Sequence, residues 1–233
     1  MKTGIMQPYF LPYLGYFQLI NACDSFVVYD NIQFTKKGWI HRNRMLLNGK
    51  DMMFTLPLKN DSDYLNVDQR FLGENYEKEK AKILGQVKSS YSKALHFKTA
   101  FPIIEDIFND SERNLFAFIF NALKKINNYL DITTPLIVSS TIDIDHSLKG
   151  KHKVIALIKK LGADTYINPI GGMELYSKDE FSENGIALQF HKMKPVVYPQ
   201  FSNEFIPYLS ILDVMMFNDK TTIRGFLNEF ELL

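Results

Sequence analysis

The densest chemistry in the chain is the run QFTKKGWIHRNR, residues 33–44. Lys36, Lys37, His41, Arg42 and Arg44 surround Trp39, the sole tryptophan. Cations beside an aromatic face suit a phosphate joined to a flat ring: the basic groups hold oxygens and the indole stacks. The same set suits single-stranded nucleic acid. A solvated basic loop around a half-buried tryptophan is the plain alternative. In the binding reading, Lys37 and Arg42 hold phosphate and Trp39 faces the ring. His41 is a ready general base, because an ordinary histidine titrates near neutral pH. Asp30 is the other candidate base, or else it orients one of the cations or a ribose hydroxyl.

Two further stretches have site-like chemistry. GIMQPYFLPYLGYFQLI, residues 4–20, crowds prolines, glycines and aromatics between a strand and a helix. Gln7 ends the strand, Pro8 to Tyr13 make the turn, and Gly15 leaves room for a ligand or a second backbone. Backbone N–H groups at such a turn face whatever is bound there. Tyr9, Phe10 and Tyr13 serve equally well as cover for the core. NPIGGMELY, residues 168–176, leaves a strand through Gly171 and Gly172, which permits close approach to an anion. A glycine pair also occurs in ordinary turns. Ser210 and Asp213 share a face of an apolar helix, where they either reach a site or bond the backbone.

Other chemistries find no support. The five histidines are scattered, without metal-ligand spacing, so no metal is expected. His146 and His152 flank the basic segment SLKGK, which reads as a surface loop, although it could close on a phosphate. Neither a P-loop nor a Rossmann fingerprint nor a G-x-S-x-G elbow is present. Cys23, the one cysteine, follows an apolar run and reads as a small buried residue.

Positioning these groups requires an α/β frame. KTGIMQ, PLIVSS, DTYINP and GIALQFHKM read as strands, DSFVVYDNIQF as a strand or a pair of them, and YLGYFQLINAC and GKHKVIALIKKLGA as helices, the latter closed by Gly162. RMLL and MMFTLPL flank Asn-Gly and predict a hairpin. LNVDQRFL reads as a further strand. Residues 75–130 read as a helical insertion within a single domain spanning 1–233. Asn75 and Ser111 are its candidate caps, and a helix pair closes the chain. The expected fold is α/β, with a largely parallel sheet, a hairpin and that insertion.

Composition is that of a globular chain, 46% hydrophobic and 23% charged, with a net charge of +1. That balance gives no global field for nucleic acid. The absence of a secretory signal or a long apolar run, with a lone cysteine, predicts a cytoplasmic protein without membrane insertion.

MQPYFLPYLGYFQLI, DSFVVYDNIQFTKKGWIHRNRM and FTLPL together resemble the N-terminal signature of the WbqC-like family. LGADTYINPIGGMELY and YPQFSNEFIPYLSILDVMMFN resemble its C-terminal blocks. The motif positions kept are Gln7, Pro8, Pro12, Gly15, Asp24, Asp30, Gln33, Trp39, Arg42 and Asn43. Tyr176, Gln200, Ser210 and Asp213 belong to the later blocks, and the resemblance implies one shared cleft. It also implies work in surface-polysaccharide (O-antigen) biosynthesis: a transferase acting on a nucleotide-linked sugar, with the group transferred, acyl, aminoacyl or nucleotidyl, left open and the cofactor unknown. The alternative is a non-catalytic ligand- or partner-binding module of a biosynthetic complex. Tyr13, Leu14, Gly15 and Tyr16 also resemble the His-x-Gly-His turn of HIGH-motif nucleotidyltransferases. Tyrosines replace both histidines, which implies a retained fold with changed chemistry.

Overall fold

Strand β1 (Lys2–Met6) carries the alternation that organises the molecule. Gly4 lies against Phe26 on one face, and Ile5 enters a separate apolar cluster on the other. The computed structural model describes residues 1–201 and 204–233; Ser202 and Asn203, in the C-terminal YPQFSNEF segment, lie outside the described residues. β1 pairs in parallel with β2 (Ser25–Val28) and β6 (Thr165–Pro169). With β5 (Leu136–Val138), β7 (Ala187–Met193) and β8 (Phe230–Leu232), these form a six-stranded sheet in the order β5-β2-β1-β6-β7-β8. Only the β7–β8 pairing in it is antiparallel.

Handedness then fixes the layers. The chain first moves outward from β1 to β2 and β5, then returns past β1 to β6 and β7. Parallel crossovers are right-handed, so a reversal of direction sends the connecting helices to opposite faces. Accordingly α1 (Leu14–Asn21) packs with Phe26, Val28 and Ile167 on one face. Helices α5 (Gly150–Lys160) and α6 (Lys178–Ser182) pack with Ile5, Val27 and Tyr166 on the other.

A separate hairpin, β3 (Arg42–Leu47) and β4 (Lys50–Thr55), turns through Asn48 and Gly49, both at positive φ (53° and 73°) as a type I′ turn requires. Met45, Leu46 and Phe54 join the core on the α1 side, as do α2 (Tyr76–Tyr91), α3 (Phe97–Phe108) and α4 (Leu115–Tyr129). Helices α7 (Ile211–Phe217) and α8 (Lys220–Phe226) complete that face. Among the described residues, no helix is long and apolar enough to cross a membrane.

Three local expectations change. LNVDQRFL is not a strand: Gln69 Oε1 accepts from Asn66 N (3.0 Å), closing a 3-10 turn over Val67–Gln69. Helix α4 is capped by Asn114, which accepts from Ala117 N, rather than by Ser111. The chain stays extended until then because Arg113 O and Leu115 N bond across to Leu72 and Arg70. The C-terminal helix stops at Phe226, and Phe230–Leu232 instead pairs with β7, satisfying the outer edge of that strand.

Candidate functional site

Open α/β sheets place ligands beyond the carboxyl ends of their strands, where the strand order reverses. Here that point lies between β1 and β6, and it opens into a cleft of about 890 Å³. Met6 and Gln7 leave β1 into it, Tyr29 and Asn31 follow β2, Asn168 stands near the end of β6, and Gly171 and Gly172 follow that strand. Gln33, Tyr64 and Asn66 form one rim, and Tyr9 and Tyr176 add aromatic wall.

The opposite rim is the segment from His146 to Lys153, which carries the start of α5. Among the described residues, no side chain caps this helix and no acid stands in its first turn. Lys149 and Lys153 both line the cleft there. Cations at a helix N-terminus add to its positive end, an arrangement that favours a bound anion. Among the described residues, no Asp or Glu lines the cleft. Lys153 is buried, with its Nζ 2.8 Å from Asn31 Oδ1 and 5.4 Å from the centre of the Tyr29 ring. Burial draws its pKa below the usual lysine range, while Asp30 and Asp68 oppose that shift.

Asn31 ties the floor together. Its Oδ1 accepts from Lys153 Nζ and lies 2.9 Å from Ser139 Oγ, and its Nδ2 donates to His146 Nδ1 at 3.0 Å. His146 Nε2 then donates to Ile142 O (3.0 Å), so both ring nitrogens are engaged. Asp30 sits behind Asn31, buried, accepting from Ser139 Oγ (2.6 Å) and Ser140 N (2.9 Å). It is not in the cleft wall. On the far side Asn168 Oδ1 accepts from Tyr166 (2.9 Å), and its buried Nδ2 finds no acceptor among the described residues. Gly172 lies so close over this amide that a methyl group would overlap it.

The sequence candidates therefore divide. Gln7, Tyr9, Gln33, Gly171, Gly172 and Tyr176 meet in the cleft. His41 does not: its ring packs 5.1 Å from Phe34, its buried Nδ1 has no partner among the described residues, and burial, with Arg42 and Arg70, pushes its pKa down to about 4. A histidine so placed is neutral and poorly basic at neutral pH. Arg42 donates from Nε to Gly38 O (2.9 Å) and from Nη2 to the carbonyl of Lys37, so it braces its own loop. Lys37 and Trp39 are exposed, and neither lines the main cleft.

Gly15 and Tyr16 are buried behind the opening turn. Tyr16 donates to Gln7 O (2.9 Å), while the Tyr13 ring lies across Gly15 where a Cβ would stand. Pro8 is buried as well. Asn43 clamps the turn from the hairpin, with Nδ2 reaching Leu11 O (2.7 Å) and Phe10 O (3.3 Å). This holds Leu11 at φ 44°.

The later block braces the same turn from outside the cleft. Ser210 Oγ donates to Leu11 O (2.7 Å) and caps α7 by accepting from Leu212 N. Asp213 is wholly buried and accepts from Tyr91 (2.8 Å), Tyr198 (2.7 Å) and Gln200 Nε2 (2.8 Å). Burial lifts its pKa to about 6 against the pull of those three donors. Gln200, Ser210 and Asp213 thus form a buried brace, and none of them lines the cleft.

The residues that the sequence reading passed over are Tyr29, Asn31 and Asn168; the basic segment after His146, read as a surface loop that could close on a phosphate, lines the cleft. One signal was present: three lysines in LKGKHK open a helix that has no acid in its first turn.

Over 217 residues, 92% of each chain, the protein is 27% identical to the Mycobacterium tuberculosis (strain ATCC 25618 / H37Rv) protein named "Uncharacterized protein Rv1507c". No solved structure matches it. The profile of the WbqC-like protein family matches residues 7–225, so the chain belongs to that family.

Proposed function

We propose that the protein is a transferase of surface-polysaccharide biosynthesis that acts on a nucleotide-linked sugar held in the 890 Å³ cleft. The observation that carries this reading is the union of a switch-point cleft with an uncapped, lysine-bearing helix start and a wall free of carboxylates among the described residues. A diphosphate satisfies the N-terminal amides of α5 together with Lys149 and Lys153. Gln7, Asn31 and Tyr176 supply hydrogen bonds and a ring face for the remaining groups. Asp30 serves as a positioning residue, acting through Ser139 and Asn31 rather than on substrate. Calorimetric titration with nucleoside-diphosphate sugars tests the phosphate site. Lys149 is exposed, so Lys149→Gln is expected to leave the fold intact and weaken binding several-fold. Unchanged affinity in that variant overturns the assignment.

One observation favours the second reading, a binding module without turnover. Within the cleft wall, both nitrogens of His146 are engaged and no carboxylate is present among the described residues, so an evident general base is missing. Incubation with nucleotide sugars and acyl donors separates the two readings. A mass change in the sugar supports the transferase; binding without any change supports the module.

A further inference from the structure

Tyr9 has a second role. Its ring walls the main cleft and also a smaller concavity of about 240 Å³ beside it, formed with Trp39, Tyr13, Tyr208 and Pro12 and edged by Arg44. Trp39 and Tyr208 are 41% and 62% exposed, so two large aromatic faces are held in water beside a shared hollow. Tyr208 sits at φ 58°, a costly conformation for an aromatic residue and one found where function sets the backbone. Arg44 Nη2 donates to its carbonyl (3.4 Å), and its ring meets Tyr13 edge-on at 6.2 Å. Arg44 Nη1 is paired with Asp51 (3.0 Å), but its buried Nε has no acceptor among the described residues.

Size and charge narrow the guest. A cavity of about 150 Å³ accommodates benzene. This hollow therefore takes one substituted six-membered ring, whereas a nucleoside belongs in the larger cleft. Aromatic boxes otherwise welcome cations. Here the guanidinium groups of Arg42 and Arg44 already stand 5.8 and 6.0 Å from the Trp39 ring centre, which disfavours a cationic guest. What remains is a neutral or acidic ring with an apolar face and hydrogen-bonding substituents.

We propose that this hollow is a second, phosphate-independent subsite that stacks one pyranose ring, neutral or bearing a carboxylate, against Trp39 and Tyr208, with the Arg44 guanidinium at its edge favouring a polar or acidic substituent. Its role as the acceptor site, facing the nucleotide sugar across Tyr9, rests on the function proposed above; the binding itself does not.

Methyl glucopyranoside, methyl glucopyranosiduronate and benzoate serve as probes. Binding is read from the fluorescence of Trp39, the only tryptophan, and from ligand-observed saturation-transfer NMR. Either glycoside is expected to perturb Trp39. Tyr208→Ala, which removes an exposed ring, is expected to weaken that response roughly tenfold, with Trp39→Phe checked by NMR. Lys149→Gln is expected to leave glycoside binding unchanged even as it weakens nucleotide-sugar binding. A response to benzoate but to neither glycoside overturns the saccharide assignment. No response to any probe, or one unaltered by Tyr208→Ala, overturns the site. Loss of glycoside binding in Lys149→Gln overturns its independence from the phosphate site.

Discussion

Replacing Tyr91 by Phe deletes one oxygen that serves two partners. The hydroxyl donates to Asp213 Oδ2 (2.8 Å) and accepts from Leu46 N (2.7 Å), all within buried structure. Stranding a buried amide costs about 1–3 kcal/mol, and a hydrogen bond to an ionised acceptor contributes about 1.5–3 kcal/mol. Since the two losses share one cavity, a total of roughly 3–5 kcal/mol is expected at pH 8. The pH dependence is the sharper signature. Asp213 has a folded pKa of about 6, above its ordinary 3.8. Its contribution to stability is therefore fully present below about 3.8 and is lost as pH rises through 6, a swing of roughly 3 kcal/mol. The Tyr91 hydrogen bond lowers that pKa, so the variant's Asp213 titrates higher and its loss continues to higher pH. Urea unfolding followed by far-UV circular dichroism at pH 5 and pH 8 measures both effects. The difference between parent and variant is expected to be smaller at pH 5 by about 1–2 kcal/mol, because a protonated Asp213 loses only a neutral hydrogen bond. A difference below about 1 kcal/mol at pH 8, or one that is equal at both pH values, refutes the role assigned to this brace.

Asn43→Ala removes the amide that holds the Phe10 and Leu11 carbonyls; a loss of about 2 kcal/mol in chemical denaturation is expected, with the hairpin core unaltered. Gly172→Ala drives a methyl into the Asn168 amide, so nucleotide-sugar affinity in calorimetry is expected to fall more than thermal stability does. Burial lowers both His41 and His191 to about 4. Their stabilising contribution is present above about 6.5 and is lost as pH falls toward 4, so His191→Gln is expected to flatten the acid limb of the stability curve. Burial first, and then Asp24, raises the Cys23 thiol to about 12; a thiol reagent at neutral pH is expected to label it only after denaturant is added.

The strands were readable where a short-range rule sufficed. Phe26, Val27 and Val28 alternate between two cores, and Asn48-Gly49 turns the hairpin with the residues that such a turn demands. Strand order was not readable, because β1 finds β6 only after a long excursion. The same distance hid the cleft: Lys149 and Lys153 resemble a solvated face until the sheet brings them into one cleft with Asn31 and Asn168. His41 misled for the complementary reason, since residue type supplies an ordinary pKa but not the packing against Phe34. Ser210 does reach the opening turn, as a brace on Leu11 rather than as a cleft group.

The central position of β1 also sets a schedule for the nascent chain. β2 can pair with β1 as soon as it emerges, but β6 follows about 140 residues later, roughly 7–30 s at ordinary elongation rates. For that interval one edge of the strand that will lie mid-sheet is unpaired, a template for mispairing. The turn after it is completed later still, when Ile211 N reaches Pro12 O and Ser210 reaches Leu11 O. Ribosome stalling between residues 30 and 160 would thus release a chain with its edge open and its cleft unbuilt, the species on which a chaperone would have most to do.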